Sequence, residues 1–224
     1  MADMRIIRVT GKGNIKVKPD MTRITMTLEG CYPVYEDTLR HSSEDTEVLK
    51  DIIEKLGFDR TDVKTLSFNV DTKHQSYQDK DKSWKQRLVG YEFKHIMKIE
   101  FESDNKRLGK VLFALANAER IRPEFRLSYA VKDKEASKNE LLGKAVADAK
   151  AKATVLSQAA GVSLKDIQSI DYSWGEINFE YSPMQGDMLM RCCEESDGID
   201  GYAMDIEPDD IEVSDTVTMV WEIE

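Results

Sequence analysis

Helical and alternating hydrophobic patterns follow one another along this chain with few gaps. The most regular helical stretch is DKEASKNELLGKAVADAKAKATVLSQAAG, Asp133 to Gly161. Leu142, Ala145, Ala149, Ala153, Leu156 and Ala160 recur in steps of three and four, which lays one apolar stripe along a helix. Asp133 or Ser137 can cap its start, Ser137 with Glu140 fits a capping box, and Gly161 supplies a left-handed stop. Glu140 with Lys144, and Asp148 with Lys152, are spaced to pair on the outer face. The stripe is mostly alanine, so the surface beneath it can come close.

Period-two patterns fill most of the remainder. Met4 to Lys18 predicts two short strands bent at Gly11-Lys12-Gly13, and Met21 to Tyr32 a strand with Ile24, Met26 and Leu28 on one side. Tyr35 to Gly57 predicts a helix with Leu39, Leu49, Ile52, Ile53 and Leu56 inward; its first half is polar. Asp62 to His74 and Leu88 to Ser103 predict a long hairpin with one buried face, joined by a charged tip, Gln75 to Arg87, that holds Trp84. Val89, Tyr91, Phe93, His95, Met97, Ile99 and Phe101 take every odd position of its second strand. A helix over Asp104 to Ala118 follows, then a strand with Phe125, Leu127, Tyr129 and Val131 inward, and later strands over Asp166 to Trp174 and Ile211 to Ile223.

This order implies an α+β fold, with antiparallel or mixed sheets and helices packed on one side. Residues 21–132 run strand-helix-strand-strand-helix-strand, the order of a ferredoxin-like unit. Residues 1–20 with 133–224 are expected to form a second, interlocked α+β layer that contains the long helix. The whole of 1–224 reads as one unit, interrupted by an acidic excursion over 175–210.

The chain has 224 residues and a formal net charge of −10, which disfavours non-specific binding to nucleic acid or anionic membranes. No stretch approaches the roughly 20 apolar residues that span a bilayer. The three cysteines make no disulfide framework, and MADMRIIRVTGKGN has no secretory pattern, so a cytoplasmic location is expected.

Candidate chemistry is sparse. Gly11-Lys12-Gly13 would cradle phosphate only if a helix began directly after it; a strand pattern follows, so a bend or bulge is expected. Arg5, Arg8, Lys12, Lys16 and Lys18 read as a solvated basic strand face. No two of His41, His74 and His95 lie at ligand spacing. His95 reads as a core histidine with one satisfied nitrogen. Cys31 reads as a strand residue, and Cys192-Cys193 as two loop thiols whose acidic surroundings raise their pKa. Asp197-Gly198-Ile199-Asp200-Gly201 lacks the ligand alternation of an EF-hand and reads as a solvated charge run. Met184, Met188, Met190, Cys192 and Cys193 form the candidate interaction or redox-sensitive segment. No serine elbow, metalloprotease helix or nucleotide-binding fingerprint is present. No catalytic residue, cofactor or metal site is therefore assigned.

The stretches VTGKGNIKVKPDMTRITMTLEG, LGFDRTDVKTLSFNV, LVGYEFKHIMKIEF, ADAKAKATVLSQAAGV and IEPDDIEVSDTVTMVWEIE together resemble the SIMPL-domain (DUF541) family, in the family's order. The resemblance implies an α+β protein with two interlocked sub-structures and no agreed catalytic residues. It also brings expectations from relatives: many bacterial members are exported, some are linked to oxidative-stress defence, some resemble ring-forming, channel-like oligomers, and an animal member is named as a partner in kinase signalling. Pro208-Asp209-Asp210 stands where relatives tend to have Pro-Gly. The expected role is a non-enzymatic assembly or interaction module, binding itself or another protein. The alternative is a ligand-binding or enzymatic cleft between the sub-structures, using His95, Tyr91 and the acidic stretch. A third reading is stress protection through sacrificial Met and Cys oxidation.

Overall fold

The computed structural model describes residues 5–79, 82–172, 177, 179–182 and 206–224. It is an α+β protein whose strands form two antiparallel sheets, of three and five strands. The chain divides into two compact units: Met1–Asp20 with Ala130–Tyr181 and Pro208–Glu224, and Met21–Tyr129 with Ser182–Glu207.

In the first unit, β1 (Ile6–Val17), β8 (Ile211–Ile223) and β6 (Leu164–Tyr172) form a sheet in the order β1-β8-β6, and α3 (Lys134–Ala160) lies over β1 and β8. Asp133 caps α3, its Oδ1 accepting from the Ala136 N–H at 2.8 Å, and Gly161 closes it at φ 68°. Both outward pairs form, Lys144–Glu140 and Lys152–Asp148, each at 2.7 Å. The buried line along α3 is Ser137, Leu141, Ala145, Ala149, Ala153 and Ser157, strictly every fourth residue. Leu156 and Ala160, expected inside, are exposed, while Leu141 is fully buried.

The sequence expectation of two strands bent at Gly11-Lys12-Gly13 is corrected. β1 is one strand, paired with β8 without a register shift from Ile6↔Glu222 to Val17↔Ile211. The glycines serve the helix instead. A Cβ at Gly11 would lie 2.1 Å from the Ala145 carbonyl oxygen, and one at Gly13 2.3 Å from that of Leu141. Alanine on the helix and glycine on the strand let the two backbones approach more closely than any larger pair would allow. The contact also protects the outer edge of β1. The Lys12 N–H donates to Asp148 Oδ2 at 2.7 Å, and Lys152 Nζ donates to the Thr10 carbonyl at 3.4 Å.

In the second unit the strands run β3-β4-β2-β5: β3 (Lys64–Gln78), β4 (Trp84–Glu102), β2 (Met21–Tyr32) and β5 (Glu124–Ala130). Helices α1 (Tyr35–Lys55) and α2 (Asn105–Ala116) share one core with the inner face of β2 and β4. Ile24, Met26, Phe93, Met97, Leu49, Ile53, Leu108 and Val111 meet there, none more than 1 % exposed. Asp104 caps α2 by accepting from the Lys106 and Arg107 N–H groups. The first half of α1 turns Thr38 and Ser42 inward, while Leu39, expected in the core, is 39 % exposed. A single helical turn at Arg60–Asp62 and a two-residue strand, β7 (Glu180–Tyr181), complete the described elements.

Candidate functional site

The alternation of β4 carries one polar side chain to the core face. His95 lies between Phe93 and Met97 on that face and is 9 % exposed. Its Nδ1 is 3.0 Å from Thr46 Oγ1 on α1, and its Nε2 is 2.9 Å from Thr65 Oγ1 on β3. The Thr46 hydroxyl gives its one proton to the Ser42 carbonyl at 2.7 Å. Its oxygen is therefore left to accept, which assigns the imidazole proton to Nδ1 and makes Nε2 the acceptor of the Thr65 hydroxyl. The Phe68 ring meets the imidazole edge-on, with centroids 5.1 Å apart. Burial, and secondarily the Lys50 charge, lowers the His95 pKa and favours this neutral form.

Both ring nitrogens are engaged, where the sequence led us to expect one. A cleft of about 390 Å³ opens beside the ring, with Leu39, Ser42, Ser43, Lys50 and Phe68 among its walls. A general base needs a lone pair directed at its substrate. In this geometry the His95 lone pair is engaged by the Thr65 hydroxyl. Tyr91, also on β4, is packed edge-on against Tyr35 at 5.3 Å. Tyr35, at the first turn of α1, thus engages the second residue that the sequence offered as cleft chemistry.

The other sequence candidates stay dispersed. His41 stacks on Tyr32 with centroids 4.2 Å apart, and His74 is exposed on β3. Cys31 is an exposed free thiol on β2. Arg8, Lys12 and Lys16 alternate with inward residues along β1 and are exposed, and Lys16 pairs with Glu212. A strand runs through Gly11-Lys12-Gly13 with no helix start beside it, so the phosphate-loop geometry is missing. Among the described residues no group of three or more His, Cys, Asp or Glu is placed to hold a metal ion. No helix among them is long and apolar enough to cross a membrane. Met184, Met188, Met190, Cys192 and Cys193 lie outside the described residues, as does the run from Glu194 to Asp205.

One feature was missed by the sequence reading. The charged tip expected over Gln75 to Arg87 is largely strand: β3 continues to Gln78 and β4 starts at Trp84. Pairing between β2 and β4 ends at Tyr32↔Tyr91. Pro33 follows at once and has no N–H to give to a ladder. The Tyr32 carbonyl and Pro33 pass so close to Gly90 that a Cβ there would be 2.3 Å from that oxygen. Among the described residues, the hairpin beyond this point is a two-stranded arm, Lys73–Gln78 against Trp84–Gly90, with a bulge where Lys73↔Gly90 gives way to His74↔Leu88. It carries Trp84, 73 % exposed, and Leu88, 50 % exposed. The expected single buried face of the hairpin is confined to β4 from Gly90 onward; no residue of β3 is buried, and Leu66 and Phe68 are 52 % and 43 % exposed. The signal that reveals the arm is Pro33, read together with the unequal lengths of β2 and β4.

Comparison with curated proteins finds no match for this chain. The family model described as SIMPL, protein of unknown function (DUF541), matches residues 7–221, from the start of the long first strand almost to the end of the last. With two α+β units and nearly the full length covered, the chain belongs to the SIMPL (DUF541) family.

Proposed function

We propose that this chain is a non-enzymatic interaction module that works by binding protein surfaces. The observation that carries the reading is the arm. Among the described residues, it holds a tryptophan and a leucine in solvent on two strands with no sheet or helix core beneath them. A two-stranded ribbon is marginal by itself, so apolar side chains placed on one favour a partner that covers them. The histidine that sequence offered as cleft chemistry supports the same view, because its hydrogen-bonding capacity is spent on Thr46 and Thr65. A role in stress defence belongs to this proposal only through family resemblance. The alternative, a ligand-binding or enzymatic role, draws on the cleft beside His95. Solution mass together with affinity capture tests the proposal. Association, with itself or with a captured protein that is lost on Trp84→Ser, supports it. A strict 25.6 kDa monomer that captures nothing contradicts it.

A further inference from the structure

We infer that the partner of the arm is an acidic, extended segment of another protein, which adds as a strand to the outer edge of β4 over Trp84–Leu88. This inference rests on the interaction reading above and names the chemistry of the partner. Among the described residues, Trp84 to Leu88 pair with β3 on one side only, because β2, which fills the other side of β4, stops at Tyr32↔Tyr91. Successive residues of a strand turn their N–H and C=O groups to opposite edges. Every second residue of this stretch therefore offers its backbone to an edge that no described strand fills. An open edge of that kind is a template for an extended segment, whose main chain supplies the missing ladder.

The register of the arm says which side chains that segment carries. Trp84, Gln86 and Leu88 stand opposite Gln78, Ser76 and His74, whereas Lys85 and Arg87 stand opposite Tyr77 and Gln75. One face of the edge is thus apolar at Trp84 and Leu88, and the other is basic. All five side chains of the edge are exposed. Residues 73–90 hold five lysines or arginines against two aspartates, a basic segment in a chain of formal net charge −10. Lys85 is paired with Asp79 and Lys73 with Glu92. Arg87 has no such carboxylate among the described residues: its contacts are Gln75 Oε1 at 3.0 Å and the Tyr77 ring at 6.0 Å. A guanidinium on an open edge favours a carboxylate on the strand beside it. The added strand also has period two. Acidic residues at alternate positions then meet Arg87 and Lys85, while apolar residues between them meet Trp84 and Leu88. The same charges oppose the pairing of two arms with each other, because like charges would stand side by side.

Fluorescence anisotropy of short labelled peptides, titrated with the full-length protein, tests this. The peptides are glutamate alternating with valine, the same residues in two separate blocks, and lysine alternating with valine. The expected result is that wild type binds the glutamate–valine peptide roughly tenfold or more tightly than the block peptide, and that Arg87→Glu loses a similar factor. Arg87→Glu is also expected to bind the lysine–valine peptide more tightly than wild type does, a gain that misfolding cannot produce. N-methylation of the amides along one edge of the glutamate–valine peptide abolishes binding, and along its other edge leaves binding intact, as strand addition requires. Alternating and block peptides bound alike, or binding indifferent to both methylations, overturn the added strand. Binding that Arg87→Glu does not alter overturns the acidic partner. A wild type that binds none of the peptides overturns the inference as a whole, and affinity capture through Trp84 then decides the interaction reading separately. Hydrogen exchange over Trp84–Leu88 that slows with protein concentration alone makes a second copy the occupant and overturns it too.

Discussion

Replacing Gly11 by alanine adds one methyl group where the long helix crosses the first strand. Its Cβ would be 2.1 Å from the Ala145 carbonyl oxygen, 2.4 Å from the Ala149 nitrogen and 2.7 Å from the Ala149 Cβ. Two of these neighbours are helix backbone and cannot rotate away. Reaching an ordinary contact of about 3.5 Å forces α3 off the sheet by roughly 1 Å. That gap loosens Ala145, Ala149 and Ala153 from Val9 and Met219 and lengthens the Lys12–Asp148 hydrogen bond. Overpacking of this kind costs about 1–3 kcal/mol. Alanine in a strand interior recovers about 0.5–1 kcal/mol of backbone entropy. The net expectation is a loss of about 1 kcal/mol, or about 2–4 °C in Tm for a chain of this size. Urea unfolding followed by circular dichroism, with hydrogen exchange of the α3 amides, measures it. Gly143→Ala is the control: nothing lies within 4 Å of its added Cβ, so it is expected to stabilise by about 0.5–1 kcal/mol. A Gly11→Ala variant as stable as wild type, beside a stabilised Gly143→Ala, refutes the close-approach account.

Three further outcomes are expected. Because the folded-state pKa of His95 lies below its ordinary value of 6.5, the unfolded chain binds more protons between the two; stability is full above pH 6.5 and declines as pH falls through the folded value, and His95→Gln flattens that part of a stability–pH profile. Tyr129 is 1 % exposed with a hydroxyl that has no hydrogen-bond partner among the described residues, so Tyr129→Phe raises stability by about 1 kcal/mol in denaturant titration; burial pushes this phenol up to about 12, so wild type also loses stability above pH 10 and the variant loses less. Asp148→Ala speeds hydrogen exchange of the Lys12 amide, and in wild type the same amide loses protection as pH falls through the Asp148 titration, which Lys152 and the Lys12 N–H place below the usual carboxylate range.

Much of the framework was legible because local pattern and tertiary need agree. β4 shows this in Phe93, Met97, Ile99 and Phe101, whose alternation survives intact in the core. α3 shows it in Asp133 and Gly161, which cap the helix where the pattern begins and stops. The failures share one cause, a partner remote in sequence. A glycine in a strand looks the same whether it bends the chain or admits a helix, and only Leu141 and Ala145, far along the chain, distinguish the two. Helical periodicity chose Leu39 as the inward residue of α1. The helix instead turns Thr38 and Ser42 inward and offers Thr46 to a histidine on β4 that needs hydrogen-bond partners. The arm was hidden because alternation continues smoothly from Phe101 back to Val89 while β2 ends at Tyr32, just before Pro33.

The most direct test of the interaction account is hydrogen exchange measured on dilute and concentrated wild-type protein. The account predicts that amides of Trp84 to Leu88 slow as concentration rises or as a captured protein is added, that the cleft beside His95 does not change, and that Trp84→Ser abolishes the slowing. Exchange in the arm that is indifferent to concentration and to any added protein, in a chain that sediments as a 25.6 kDa monomer, contradicts it.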